Sequence, residues 1–140
     1  MKLKTLILLP LIVTGLAHAN DIEVSSSPSV LVSVEQSKGT VFHVSVPENS
    51  VVIATVYGGD QISSAQESSA QIKEVIDGNS VSFLISKPGQ YAMSAITKCG
   101  LSFSIVANVL KSDAKNVDIK KYLPKVAIQG ASCPAVTQKN

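Results

Sequence analysis

The sequence contains neither arginine nor tryptophan, and phenylalanine and tyrosine occur only three times each. Arginine is the usual residue for bidentate capture of phosphate or carboxylate, so its absence argues against nucleotide and phosphate recognition. Clefts that cleave sugars need aromatic walls, but Phe42, Phe83 and Phe103 all fall on strand faces that the pattern assigns to the core. These absences argue against nucleotide-dependent and glycoside-cleaving functions.

Long apolar runs are confined to the N-terminus. Two lysines precede an apolar run over residues 6–13, and the small residues that favour cleavage follow at Ala17 and Ala19. This is the pattern of a secretory signal peptide. The run is too short to span a bilayer, which takes about 20 apolar residues. We therefore expect residues 1–19 to be removed, leaving a periplasmic or secreted chain that begins at Asn20 and has no membrane span.

After that cleavage the chain has no excess of positive charge, because its ten remaining lysines are balanced by ten acidic residues. Nucleic-acid binding needs a basic footprint, so we expect no nucleic-acid partner. The charge is unevenly placed, with an acidic excess over residues 20–110 and a basic excess over residues 111–140. The distribution indicates a basic tail lying against an acidic sheet face, and a basic patch for an anionic partner is the alternative.

Cysteine occurs only twice, at Cys99 and Cys133. An even count in an exported chain favours a disulfide. The two residues are too far apart for a C-x-x-C redox motif, and a zinc site would need two further ligands, for which His43 is the only other soft candidate. We predict a structural disulfide that fastens the C-terminal segment to the sheet, and we expect no metal or cofactor.

The sequence also lacks the residue combinations that form known catalytic sites. His43 is the only histidine after the predicted cleavage, and no serine lies in a G-x-S-x-G elbow that could complete a hydrolase triad with it. Carboxylates such as Glu35, Glu48, Asp60 and Glu67 are scattered singly rather than at metal-ligand spacing. We expect the protein not to be an enzyme.

Apolar and polar residues alternate in short segments through most of the chain, which is typical of half-buried strands. Turn residues separate these segments, as in sandwiches and small barrels. We predict an all-β fold: a single antiparallel β-sandwich over residues 29–110, Ig-like or jelly-roll-like, with about seven strands. Residues 20–28 would form a flexible arm or edge strand. The lysine-rich segment 111–140 would be tied back by the disulfide and could add an edge strand at 125–129.

The stretch after the predicted strand at 51–57 departs from this alternation. Ile62, Ala65, Ile72 and Ile76 fit one helical face, but the middle of the stretch is rich in serine, so we predict a mobile loop through Ala70 and a strand at 71–76. A helix over residues 61–70 is the alternative to the loop. Loops displayed by a stiff scaffold often carry function. We therefore predict a partner-binding loop that begins with Tyr57, Gly58, Gly59, Asp60 and Gln61.

Two stretches resemble known secreted modules. Residues 39–60, GTVFHVSVPENSVVIATVYGGD, resemble sandwich modules appended to bacterial proteases, and residues 86–96, SKPGQYAMSAI, are similar to the turn and tyrosine that precede many Ig-like strands. The acidic motif expected after GGD in the protease-appended module is missing. No functional residue is therefore carried over, and no family is assigned.

A small exported β-protein without a catalytic constellation is best interpreted as a binding module. We expect an accessory or surface protein in bacterial envelope assembly, adhesion or secretion, whose sheet edges recruit another protein. The alternative is a secreted inhibitor or toxin-neutralising protein that plugs a target enzyme with the loop at 58–70.

Overall fold

The computed structural model describes residues 21–24, 30–112 and 124–134. The expected signal peptide, residues 1–19, and its cleavage point before Asn20 lie outside the described residues. Within them, no helix is long and apolar enough to cross a bilayer. The elements in chain order are β1 Asp21–Val24, β2 Val30–Ser33, α1 Val34–Ser37, β3 Val41–Pro47, β4 Ser50–Tyr57, β5 Ile62–Glu67, β6 Ile72–Asp77, β7 Ser80–Ile85, β8 Gly89–Thr97, β9 Ser102–Leu110 and β10 Lys125–Gln129.

The strands form two sheets of five. The first has the order β1-β3-β9-β8-β5 and the second the order β2-β10-β4-β7-β6. The all-β class is confirmed, but the described residues contain ten strands where about seven were predicted. The pairing is also not purely antiparallel, because β3 runs parallel to β1 and β9, and β10 runs parallel to β2 and β4. Hairpin turns reveal antiparallel neighbours, whereas parallel pairs need long connections that carry no local sequence pattern.

Alternating residues from both sheets bury one common hydrophobic core, which gives the fold a sandwich-like organisation. In β3 the buried residues are Phe42, Val44 and Val46, which share a face as the alternation predicts. Phe83 and Phe103 are buried as well, so all three phenylalanines serve the core. Full burial of such side chains contributes about 1.5–3 kcal/mol each.

β10 lies inside the second sheet, between β2 and β4. The strand expected at 125–129 therefore forms with these bounds, but away from the sheet edge. Val126 and Ile128 are fully buried, while Lys125 is exposed. Sequence alternation shows which residues face inward, but it does not show which strands lie on either side.

The serine-rich stretch that was predicted as a mobile loop forms β5, which pairs antiparallel with β8 at an edge of the first sheet. Only Ile62 is buried in this strand, and Ala65 is partly buried. Edge strands tolerate polar residues on most positions. The weak apolar alternation of β5 therefore resembled a loop.

The alternation over residues 30–35 also extends past the true end of its strand. β2 stops at Ser33, which begins α1 through a capping box. The amide of Gln36 donates to Ser33 Oγ at 3.2 Å, and the amide of Ser33 donates to Gln36 Oε1 at 3.0 Å. This spacing of serine and glutamine is a known helix-start pattern, and it outweighs the continued alternation.

Candidate functional site

Cys99 and Cys133 form a disulfide, which confirms the pairing predicted from the sequence. Their Cα atoms lie 4.7 Å apart. Cys99 occupies the turn between β8 and β9 of the first sheet, and Cys133 follows β10 of the second sheet. The disulfide therefore links the two sheets.

The predicted partner-binding residues lie next to this disulfide. Asp60 Oδ1 accepts hydrogen bonds from the amide of Cys99 at 3.1 Å and from the amide of Gln61 at 2.7 Å. The amide of Lys98 donates to the Gln61 carbonyl oxygen at 2.8 Å. The structure thus joins two features that the sequence presents separately, the turn after β4 and the turn that holds Cys99.

The chain that follows β10 closes over the same turn. The amide of Ala131 donates to the Tyr57 carbonyl oxygen at 2.8 Å, and the amide of Asp60 donates to the Ala131 carbonyl oxygen at 3.0 Å. Tyr57 is half exposed, whereas Asp60 is only 3% exposed. The turn at 57–61 is therefore held between two other segments and does not project freely from the scaffold.

The backbone at Gly58 packs against the backbone of Ala131 and leaves no room for a side chain. We therefore expect Gly58→Ala to destabilise the protein more than Gly59→Ala. Both glycines have positive φ, 127° and 97°, so alanine adds backbone strain of about 1–3 kcal/mol at either position. Only at Gly58 would the new Cβ meet the Ala131 carbonyl oxygen, at 2.6 Å, while at Gly59 nothing lies within 4 Å. Denaturant unfolding of both variants measures the difference, and equal losses would contradict the close packing.

A cleft of about 360 Å³ opens beside the disulfide. Its polar lining includes Lys38, Asp60, Ser102 and Ser132. Lys38 is already paired with Glu35 at 2.7 Å. Asp60 Oδ2, in contrast, is buried and accepts no hydrogen bond from the described residues. A buried carboxylate oxygen without a partner is costly, so this oxygen can gain from a cation or a hydrogen-bond donor.

The sheet edges form the second candidate site. Within the described residues, β1, β5, β2 and β6 each have one unpaired side. β1 and β2 are four residues long, and β5 contains a register irregularity between Ile62 and Ser64. β6 pairs with β7 in regular register over six residues and exposes Val75 at 55% and Ile76 at 39%. Regular register and exposed apolar residues favour β6 over the other three edges for pairing with another chain, although Lys73 and the inward-facing Glu74 are charges of the kind that protect an edge.

Val75 shares the outer face of the second sheet with apolar residues of β4 and β7, although Ser82 lies between Val75 and Ile53. Ser82 of β7 pairs with Val75 on one side and with Ile53 of β4 on the other. Leu84, also in β7, pairs with Val51 of β4. Ile53, Leu84 and Val51 are each partly buried by their neighbours. We call Val51, Ile53, Val75 and Leu84 the outer apolar patch. The patch spans β4, β7 and β6, and Val75 is its member at the free edge.

Glu74 has an unusual environment in β6. Its Oε2 atom is buried without a hydrogen-bond partner among the described residues. Desolvation raises the pKa of Glu74, and the neighbouring carboxyl group of Glu67 raises it further through a side-chain hydrogen bond and through charge repulsion. Two carboxyl groups from β5 and β6 therefore meet where an edge of one sheet approaches an edge of the other.

We expect Glu74→Gln to be more stable than the wild type at neutral pH. Because the folded-state pKa of Glu74 lies above its ordinary value of 4.5, the folded protein holds this proton more tightly than the unfolded chain does. The resulting stabilisation is complete below that ordinary value and is lost as the pH rises through the raised pKa. Denaturant unfolding as a function of pH measures the effect. A difference between variant and wild type that does not grow from acid to neutral pH would contradict it.

His43 lies on the outer face of the first sheet, where the alternation places it, and its side chain is 32% exposed. Its Nε2 atom is 3.5 Å from Asp21 Oδ1, so the two side chains form an ion pair when the imidazole is protonated. This contact joins the neighbouring strands β1 and β3. The expected lack of enzymatic activity stays a prediction.

No protein-family model matches this chain. A search of curated proteins finds no match either. Neither comparison indicates a function. In the described part of the chain, the cleft beside the disulfide and the free edge of β6 are the features from which one can be inferred.

Proposed function

We propose that this protein is an exported, non-enzymatic binding module that accepts an extended segment of another protein at the free edge of β6. It acts in the periplasm or outside the cell, as an accessory or surface protein in envelope assembly, adhesion or secretion. The observation that carries this proposal is the regular six-residue edge of β6 with its exposed Val75 and Ile76. The signal-peptide pattern and the disulfide support the location.

The binding mechanism is strand addition. Main-chain N–H and C=O groups of β6 that do not pair with β7 can bond to a partner strand, which supplies affinity without any particular sequence. A partner side chain opposite Val75 extends the outer apolar patch and loses water on binding. Burial of apolar area contributes about 25 cal/mol per Å². One large apolar side chain of the partner therefore strengthens binding beyond what the main-chain hydrogen bonds supply.

The side chains on either side of Val75 define the chemistry of the partner. Lys73 and Asp77 share its face of the strand and are exposed, because side chains repeat every second residue. The matching segment therefore carries an apolar residue flanked, at alternate positions, by an acidic residue opposite Lys73 and a basic residue opposite Asp77. Opposite charges across neighbouring strands contribute about 0.2–1 kcal/mol each.

The scaffold holds this edge rigidly. β7, the strand behind β6, buries Val81, Phe83 and Ile85 completely. We take the two sheets as one sandwich, Ig-like or jelly-roll-like, with β6 presented at its side. A rigid edge loses little conformational freedom on binding, which favours affinity.

The alternative, an inhibitor that plugs an enzyme with the stretch at 58–70, has less support. Residues 62–67 are paired with β8 as β5, and Asp60 is buried against the disulfide turn. What remains of the predicted loop is the turn at 58–61 and the short connection at 68–70. Neither offers the long projecting loop that such an inhibitor needs.

We expect Val75→Lys to lose the partner while Ile96→Lys keeps it. Ile96 is a matched control, because it is 43% exposed but lies in β8 of the other sheet. Protein without residues 1–19 would be immobilised and exposed to periplasmic extract and culture medium. A lysine in place of a central apolar contact costs about 2 kcal/mol or more, so capture should fall at least tenfold.

Circular dichroism would first show that both variants retain their sheets. A partner that both variants capture as well as the wild type, or that both lose, would contradict binding at β6. So would a partner whose contact segment is helical rather than extended.

A further inference from the structure

Asp60 places a carboxylate beside the disulfide of Cys99 and Cys133, and a purely structural disulfide does not need that carboxylate. One carboxylate oxygen and the two sulfur atoms all lie within 4.8 Å of one another. Asp60 Oδ1 is held by the amides of Cys99 and Gln61, whereas Oδ2 is buried without a partner in the described residues. The carboxylate is thus oriented through one oxygen and left free at the other.

We propose that the dithiol form of this protein binds one zinc ion through the Sγ atoms of Cys99 and Cys133 and Oδ2 of Asp60. Thiolates and carboxylates are established zinc ligands. In a tetrahedral site with Zn–S bonds of about 2.3 Å, two sulfur atoms stand roughly 3.8 Å apart. The 4.7 Å separation of the two Cα atoms allows this once the disulfide is open. The sequence pattern gives no sign of Asp60 as a third ligand, because Asp60 lies near the cysteines only in the folded chain.

The surroundings of the cluster suit a metal ion. Metal-binding carboxylates are usually oriented by hydrogen bonds to the atoms that do not ligate, as the two amides do here for Oδ1. Asp60 and Cys99 line the cleft together with Ser102 and Ser132, so the cleft adjoins the proposed site. Lys38 also lines the cleft, but its charge is offset by Glu35. The cleft gives zinc an entry path and a place for a bound water molecule.

Zinc and the disulfide exclude each other. A dithiol reductant converts the disulfide to two thiols and is itself oxidised to a disulfide, and zinc binding then releases the two thiol protons. In the reverse direction, the two thiolates give two electrons to a low-molecular-weight disulfide. That oxidant becomes two thiolates, the Cys99–Cys133 bond forms, and Zn²⁺ leaves. The link between the two sheets is therefore covalent in the oxidised protein and coordinative in the reduced one. This site is independent of the β6 edge.

Cobalt titration of the reduced protein tests the proposal. The protein would be reduced with a phosphine under anaerobic conditions and titrated with Co²⁺. We expect thiolate-to-cobalt charge transfer and the visible bands of tetrahedral Co²⁺, saturating at one ion per chain and abolished by Zn²⁺. Asp60→Asn keeps an oxygen that can accept the two amide hydrogen bonds but should weaken binding at least tenfold. Glu23→Gln, at an exposed carboxylate in β1, should bind like the wild type.

Several results would overturn the proposal. The first is a reduced, folded protein that shows no tetrahedral cobalt spectrum. The second is an Asp60→Asn variant that binds cobalt as tightly as the wild type, which would leave the cysteines as the only ligands. If the reduced protein unfolds, zinc must restore its sheet content by circular dichroism, and failure to do so would equally reject the site. The oxidised protein should bind no cobalt in this experiment.

Discussion

Replacing Cys133 with serine should lower the free energy of unfolding by roughly 2–4 kcal/mol, the usual cost of losing a disulfide in a small secreted domain. The two cysteines are 34 residues apart in sequence, so their bond restricts a long loop of the unfolded chain. It also fixes the turn between β8 and β9 to the segment after β10. Because β10 lies between β2 and β4, the loss should affect the whole domain and not only its C-terminus.

Denaturant unfolding of the Cys133→Ser variant, with the double variant Cys99→Ser, Cys133→Ser as control, measures this effect. The double variant removes the free thiol that could otherwise form dimers. Alkylation of the unreduced, unfolded wild type should detect no thiol. Stability equal to that of the wild type, or two reactive thiols in native protein, would show that the disulfide does not link the sheets.

Ile128→Ala should cost about 2–5 kcal/mol, as expected for a fully buried isoleucine whose cavity the surroundings cannot fill. Ile128 lies on the inner face of β10, opposite Val32 of β2 and Val56 of β4. Each of these neighbours is also buried. The cavity left by Ile128→Ala should therefore weaken the packing of both flanking strands, β2 and β4.

Lys125→Ala is the matched control on the same strand, because Lys125 is exposed. Its effect should stay within about 0.5 kcal/mol. Thermal and denaturant unfolding of the two variants would be compared under identical conditions. A small loss for Ile128→Ala would mean that β10 is a peripheral strand, as the sequence suggests, and not a central one.

Sequence alternation predicted which residues face the core with good accuracy, because burial has the two-residue period of a strand. Phe42, Val44 and Phe83 are buried as expected. It did not predict the neighbours of each strand, since β3 pairs with β9 and β10 with β4 across long stretches of sequence. It also failed for β5, where polar residues at a sheet edge leave almost no apolar alternation.

The candidate sites show the same division. The cysteine pair followed from the number of cysteines and the predicted export. The contact between Asp60 and Cys99 spans 39 residues and arises only when the turns after β4 and β8 come together. Likewise, the alternation predicts a strand near β6, but only the sheet order shows that β6 is an edge. Short-range sequence patterns therefore identify individual strands, whereas the candidate sites depend on which strands and turns the topology brings together.

Photo-crosslinking from position 75 tests the central claim, that β6 accepts a partner strand, most directly. A photoreactive amino acid would replace Val75 in cells that export the protein, and a second strain would carry it at Ile96. Position 75 should yield one crosslinked partner, and mass spectrometry should map the contact to an extended segment with an apolar residue flanked by opposite charges. Absence of a product from position 75, or the same product in equal yield from position 96, would contradict the claim.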